Sequence, residues 1–131
     1  MSESIIPAAL EIEHVLVPDA AEAYVGRDRY IVVAIAVFNS IVTAHVIQAV
    51  GRNASGPYGG IMLRLFDDTG TSYPVSSSAS GGYENGQPWD ISYMFTRPAG
   101  TSPKRLELFA ETLGEGAGQH PLATVVVPEG R

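Results

Sequence analysis

Tyr30–Val50, YIVVAIAVFNSIVTAHVIQAV, contains no Lys, Arg, Asp or Glu. A helix crosses a bilayer with about 20 apolar residues, so length alone permits a membrane span. The interior of the stretch argues otherwise. Asn39, Ser40, Thr43, His45 and Gln48 interrupt it, and about half of it is β-branched, which suits a pleated strand better than a helix. The reading is two consecutive strands broken at Asn39-Ser40, with no membrane span. In the first, Ile31, Val33, Ile35 and Val37 alternate onto one face, and Val32, Ala34, Ala36 and Phe38 onto the other. A strand apolar on both faces is either central or covered by another subunit. Val32, Ala34 and Phe38 are therefore expected at a contact surface that makes the protein a homo-oligomer or part of a larger assembly. Phe66 and Phe109 also fall on the nominally outward side of their strands.

Outward from this segment the chain reads as β throughout. Leu10–Val17 alternates, with Leu10, Ile12, His14 and Leu16 on one side, and DAAEAYVGRD after it is a connection with room for one helical turn. Val42, Ala44, Val46 and Val50 are expected inward, and GRNASGPYGG is too glycine-rich for regular structure. Further strands follow at Leu63 and Leu65, at Thr71–Val75, at Ile91, Tyr93 and Phe95, at Leu106, Leu108 and Ala110, and at Leu122–Val127. SSSASGGYENGQP, Ser76–Pro88, reads as a long flexible loop. About eight strands without a long helix point to an all-β protein, an immunoglobulin-like or jelly-roll-type β-sandwich.

At 131 residues the chain is a single domain, 1–131, able to bury a core without staples. Apolar residues make up 45% and charged residues 17%, the balance of a folding chain. The net charge of −6, with Lys104 as the single lysine, argues against nucleic acid as a partner. Without cysteine there are no disulfides, thiolate zinc sites or thiol nucleophiles. MSESIIPAALEIEH has neither a basic leader nor a long apolar run, so synthesis in the cytoplasm is expected, with a later place in a particle or surface assembly left open.

YIVVAIAVFNS, LRLFDDTGTSYP and ISYMFTRPAGTSPKRLELFA, in that order, resemble the immunoglobulin-like (telokin-like) domains of bacterial surface lipoproteins. Those domains run strand–Asn–Ser, then strand–Asp–x–x–Gly–x–x–Tyr, then Phe–x–x–Pro before a Leu-x-Leu strand. The resemblance covers about Tyr30 to Ala110 and implies a sandwich, with no common chemistry to transfer. The chain departs from it in lacking a lipoprotein signal and in inserting Ile41–Gly60.

Four chemistries are available on paper. Asp68-Thr69-Gly70 spells the triplet of aspartic proteases, which need two such carboxylates sharing a proton; a homodimer using Asp68 twice is the enzymatic alternative. The expected order is reversed, because the flap-like GPYGGIM and the supporting AVGRN precede the triplet. The same residues are also a hairpin corner, with Asp68 exposed, and that reading is preferred: no enzyme. Asp67 and Asp68 form a fragment of a Ca²⁺ site that would need Asp90 or Glu84 to converge. His14, His45 and His120 are isolated in sequence, so no metal and no cofactor is expected. The loop GGYENGQPWD offers Tyr83 and Trp89 as flat anchors and Glu84, Asn85, Gln87 and Asp90 as polar partners, the composition of a protein- or carbohydrate-binding loop. The preferred reading of Trp89 is a plug for the end of the core. The function expected is that of a non-catalytic structural or protein-binding module.

Overall fold

The computed structural model describes residues 9–19, 22–25, 28–49, 61–82, 88–112 and 118–129. Ten strands account for most of them: β1 (Ile12–Leu16), β2 (Glu22–Val25), β3 (Asp28–Phe38), β4 (Ile41–Ala49), β5 (Ile61–Asp67), β6 (Ser72–Tyr73), β7 (Val75–Gly82), β8 (Trp89–Thr96), β9 (Arg105–Thr112) and β10 (Gly118–Val126). All pair antiparallel in two sheets, β1-β3-β4-β8-β7 with β2 also on β3, and β10-β9-β5-β6. The order β3-β4-β8-β7 against β10-β9-β5 reproduces the A-B-E-D and G-F-C arrangement of the immunoglobulin sandwich. Ile41–Ala49, read as part of an insertion, is the central strand of the larger sheet. No described helix is long and apolar enough to cross a membrane.

The core lies between the sheets and is built by alternation. Val42, Ala44, Val46, Ile91 and Phe95 from the larger sheet meet Leu63, Leu65, Leu106, Leu108 and Ala110 from the smaller. Val42, Ala44 and Val46 face inward as expected from their period of two; Val50 lies outside the described residues.

β3 breaks that period. Its register with β4 steps from Val32↔Val46 to Ala34↔His45, leaving Val33 as an extra residue. Tyr30 and Val32 face the core on one side of this bulge, and Ile35 and Val37 on the other. The assignment of Val32 to a contact surface is therefore overturned, because Val32 is fully buried by its own chain. The outer face carries Ile31, Val33, Ala34, Ala36 and Phe38 instead. β1 is bulged as well, between Ile12 and His14, so Ile12 turns outward while Leu16 packs on the core.

Two further expectations change. The connection after Asp19 contains β2, an edge strand on the first part of β3. Ser76–Gly82, read as loop, belongs to β7, which pairs with β8 from Val75↔Phe95 to Gly82↔Trp89. Its Ser and Gly residues have little intrinsic strand preference, but an edge strand needs only its neighbour's backbone and no apolar inner face.

One end of the sandwich is tied by two residues. Arg97, between β8 and β9, donates Nη1 to the Phe38 carbonyl (2.8 Å) and to Glu13 (2.9 Å), and Nη2 to the Thr101 carbonyl (2.8 Å). Asp68, after β5, accepts from the backbone N–H of Lys104 (2.8 Å) and of Arg105 (3.3 Å). The turns β3–β4, β5–β6 and β8–β9 thus share this end, and the free ends of β4, β8 and β9 share the other.

Candidate functional site

The two outer faces differ in chemistry. On the smaller sheet, Arg64 pairs with Glu111 (2.8 Å) and Arg105 with Glu107 (3.2 Å), and the half-buried Phe66 and Phe109 meet edge to face at 5.7 Å. Those two phenylalanines cover each other, and Met62 and Val126 are the exposed apolar side chains beside the ion pairs on that face. The larger sheet is apolar where β1, β3 and β4 adjoin. Val15 is 61% exposed, Ile12 54% and Val33 38%, on the face shared by the half-buried Ile31, Ala34, Ala36, Phe38, Ile41 and Ile47. The register ranges them in rows: Ile12↔Phe38, Val15↔Ala36↔Thr43 and Ile31↔Ile47. The ionisable side chains on this face are His45, toward β8, and the Arg29–Glu22 ion pair that flanks Ile31 at the β2 margin. Toward β8 and β7 the same face turns to Ser92, Ser77 and Ala79, beside Met94.

His45 stands where the two halves meet. Its Nε2 lies 2.7 Å from Asp90 Oδ1, a diagonal contact across β4 and β8, and both side chains are exposed. Ser92 is the cross-strand neighbour of His45. The pair fixes the imidazole over a flat sheet whose backbone is committed to the β4–β8 ladder.

The binding loop proposed from sequence is only partly described. Tyr83, Glu84, Asn85 and Gln87 lie outside the described residues. Trp89 and Asp90 do not act together: alternation along β8 sends Trp89 inward opposite Gln48 and Asp90 outward to His45. Trp89 is half-buried, in the place of an end plug.

The DDTG corner resolves into two different carboxylates. Gly70 has φ +83°, closing a turn in which Gly70 N–H donates to the Asp67 carbonyl and Asp67 N–H to the Thr71 carbonyl. Asp67 is buried. Its Oδ1 accepts from Thr69 N–H (2.9 Å), Thr69 Oγ1 (2.7 Å) and Thr71 N–H (3.0 Å), and its Oδ2 from the Tyr73 hydroxyl (3.0 Å). Burial works to raise the Asp67 pKa, but these four donors outweigh it and hold the carboxyl below the usual carboxylate range. Burial, with the Asp67 carboxylate alongside, pushes the Tyr73 phenol up to about 12. Asp68 is half-buried rather than exposed, because its carboxylate holds the start of β9; the Lys104 N–H is the largest influence drawing its pKa down. Both carboxylates are engaged within their own chain, and Asp90 sits on the opposite sheet.

His14, His45 and His120 occupy β1, β4 and β10 and do not come together. Among the described residues no three His, Asp or Glu side chains form a metal-binding group. A cleft of about 340 Å³ at the tied end is lined by Glu13, His14, Arg97, Lys104 and Glu129, but the Arg97 guanidinium is spent on the contacts that close that end.

No family model, curated protein or solved structure matches this chain. The surfaces themselves carry the functional argument.

Two features went unread in the sequence although a signal existed. The bulge is foreshadowed in YIVVAIAVF, where the large residues Val32 and Ile35 stand three apart with Ala34 and Ala36 between and after them. The Asp67 network is foreshadowed by Asp67, Thr69, Thr71 and Tyr73, hydrogen-bonding residues at every second position around a glycine turn.

Proposed function

We propose that this protein is a non-catalytic binding and assembly module that self-associates through the β1–β3–β4 half of its larger sheet. The observation that carries the reading is the apolar stretch of the larger sheet's outer face, where Ile12, Val15, Val33 and Phe38 gather and the Arg29–Glu22 ion pair stands only at the β2 margin. Burying apolar surface is the main driving force for association, and contiguous apolar patches beyond a few hundred Å² are uncommon on monomers. A second copy related by a two-fold axis meets the patch with the same patch, which needs no charge complement.

The test is oligomeric state by light scattering and sedimentation, with two valines as internal controls. Val33→Asp and Val15→Asp shift the particle toward monomer and keep the β-type circular dichroism spectrum. Val32→Asp unfolds the protein, because it puts a carboxylate in the core. A wild-type protein that stays monomeric at high concentration refutes the reading.

A further inference from the structure

Every open sheet has edges whose backbone N–H and C=O groups are unpaired, and natural sandwiches protect them with short strands, bulges, proline or charge. Three of the four edges here carry such protection. β6 is two residues long. β10 carries Pro121 and a register break between Pro121 and Ala123. The β1/β2 edge is split into two short strands, bulged after Ile12, and carries Glu11, Glu13 and Glu22.

β7 is the exception. VSSSASGG contains no charge and no proline; a single irregularity between Val75 and Ser77 leaves Ser77–Gly82 in unbroken register with β8. The described side chains of the strand, Val75–Gly81, are all exposed. Small side chains also leave the neighbouring surface low. Two adjoining depressions of about 540 and 430 Å³ run beside the edge on the outer face and share Ala79 and Ser92 as floor. Their walls are Ile47 and Asp90 in one, and His45 and Met94 in the other.

We propose that β7 accepts an extended segment of a partner polypeptide as an added strand, with bulky apolar side chains at alternate positions and a basic residue near Asp90. Main-chain hydrogen bonds to the open edge supply affinity, and pockets for alternate side chains supply selectivity, which is the recurring logic of strand addition. Side chains on one face of the added strand lean across Ser77, Ala79 and Gly81 into the depressions. A second β7 has only Ser, Ala and Gly to offer there and leaves them empty. Its contact is also too small: a strand of this length is roughly 27 Å long and the sheet layer about 10 Å thick, so two edges bury some 540 Å² together, against at least ~1,200 Å² in stable interfaces. Asp90 is the exposed charge beside the edge, and the chain carries a net −6, so a basic residue on the partner is complemented. This site adjoins the self-association patch, with Ile47 and His45 of β4 on their shared border, while Val15 and Val33 of the patch lie away from the β7 edge.

The experiment uses the whole protein and a short synthetic peptide that alternates Thr with Val and Phe and ends in Lys. Hydrogen exchange of the backbone amides and a binding titration are read together. The peptide binds, the outward amides of Ser77–Gly81 gain protection, and a same-composition peptide with its apolar residues in one block binds at least about tenfold more weakly. Ala79→Lys, on the exposed outer side of β7, weakens binding by a similar factor with unchanged melting temperature, whereas Val33→Asp leaves it intact. The proposal is overturned if the peptide fails to protect the β7 amides, or if Ala79→Lys binds it as well as wild type does. It is also overturned if those amides gain protection with protein concentration alone, which places a second copy on the edge.

Discussion

Asp67→Ala tests whether the buried corner stabilises the sandwich. The carboxylate accepts four hydrogen bonds, and their loss is unequal. The Tyr73 hydroxyl is buried, so removing its acceptor costs about 1–3 kcal/mol, the range for an unsatisfied buried donor. Thr71 N–H is partly covered and adds roughly 1 kcal/mol, while exposed Thr69 is resolvated by water and adds a few tenths at most. The expected loss is therefore about 3 kcal/mol, a large share of the ~5–15 kcal/mol that holds a typical domain together. Asp67→Asn keeps a carbonyl oxygen for Thr69 and Thr71 and turns an amide toward Tyr73, which then accepts; its loss is about 1 kcal/mol. Tyr73→Phe strands one carboxylate oxygen and costs about 2 kcal/mol. Urea denaturation followed by circular dichroism at neutral pH reads all three as shifts of midpoint at constant slope. The double variant Asp67→Ala/Tyr73→Phe loses less than the sum, since the hydrogen bond they share is removed once. An Asp67→Ala midpoint equal to that of wild type, or strict additivity, refutes the assignment of Asp67 to a buried network.

The same carboxyl sets an acid limit. Its folded pKa lies below its unfolded value of about 3.9, so the unfolded chain binds the extra proton as pH falls. The stability it contributes is complete above the unfolded pKa and lost as pH drops through the folded one; denaturation midpoints between pH 6 and 2 fall less in Asp67→Asn than in wild type. A steeper fall in the variant contradicts the sign. Gln48, fully buried opposite Trp89, has no hydrogen-bond partner for either amide atom among the described residues, and neither has the hydroxyl of Tyr30 beside it in the register. Gln48→Met is accordingly expected to stabilise by about 1 kcal/mol, measured as a raised melting temperature. Destabilisation instead reveals a polar partner for the amide.

Sequence alone determined the class of this protein. Alternation at Val42, Ala44 and Val46, at Leu63 and Leu65, and at Leu106, Leu108 and Ala110 is a local property of the pleat, so it is readable before any strand finds its partner. β-branching in Tyr30–Val50, and Asp and Gly at the corner, are likewise local constraints of sterics and turn geometry. What each strand pairs with is not local. The bulge at Val33 exists because β3 must match β4 over its whole length, and it alone decides that Val32 is core and Val33 surface. Asp67 and Asp68 have nearly the same sequence environment, yet one faces Tyr73 and the other the backbone of Lys104, a contact closed only when β9 arrives. β7 has no apolar pattern to announce it, because an edge strand is held by its neighbour's backbone. That same lack of side-chain substance, invisible as structure in the sequence, leaves an open edge in the fold.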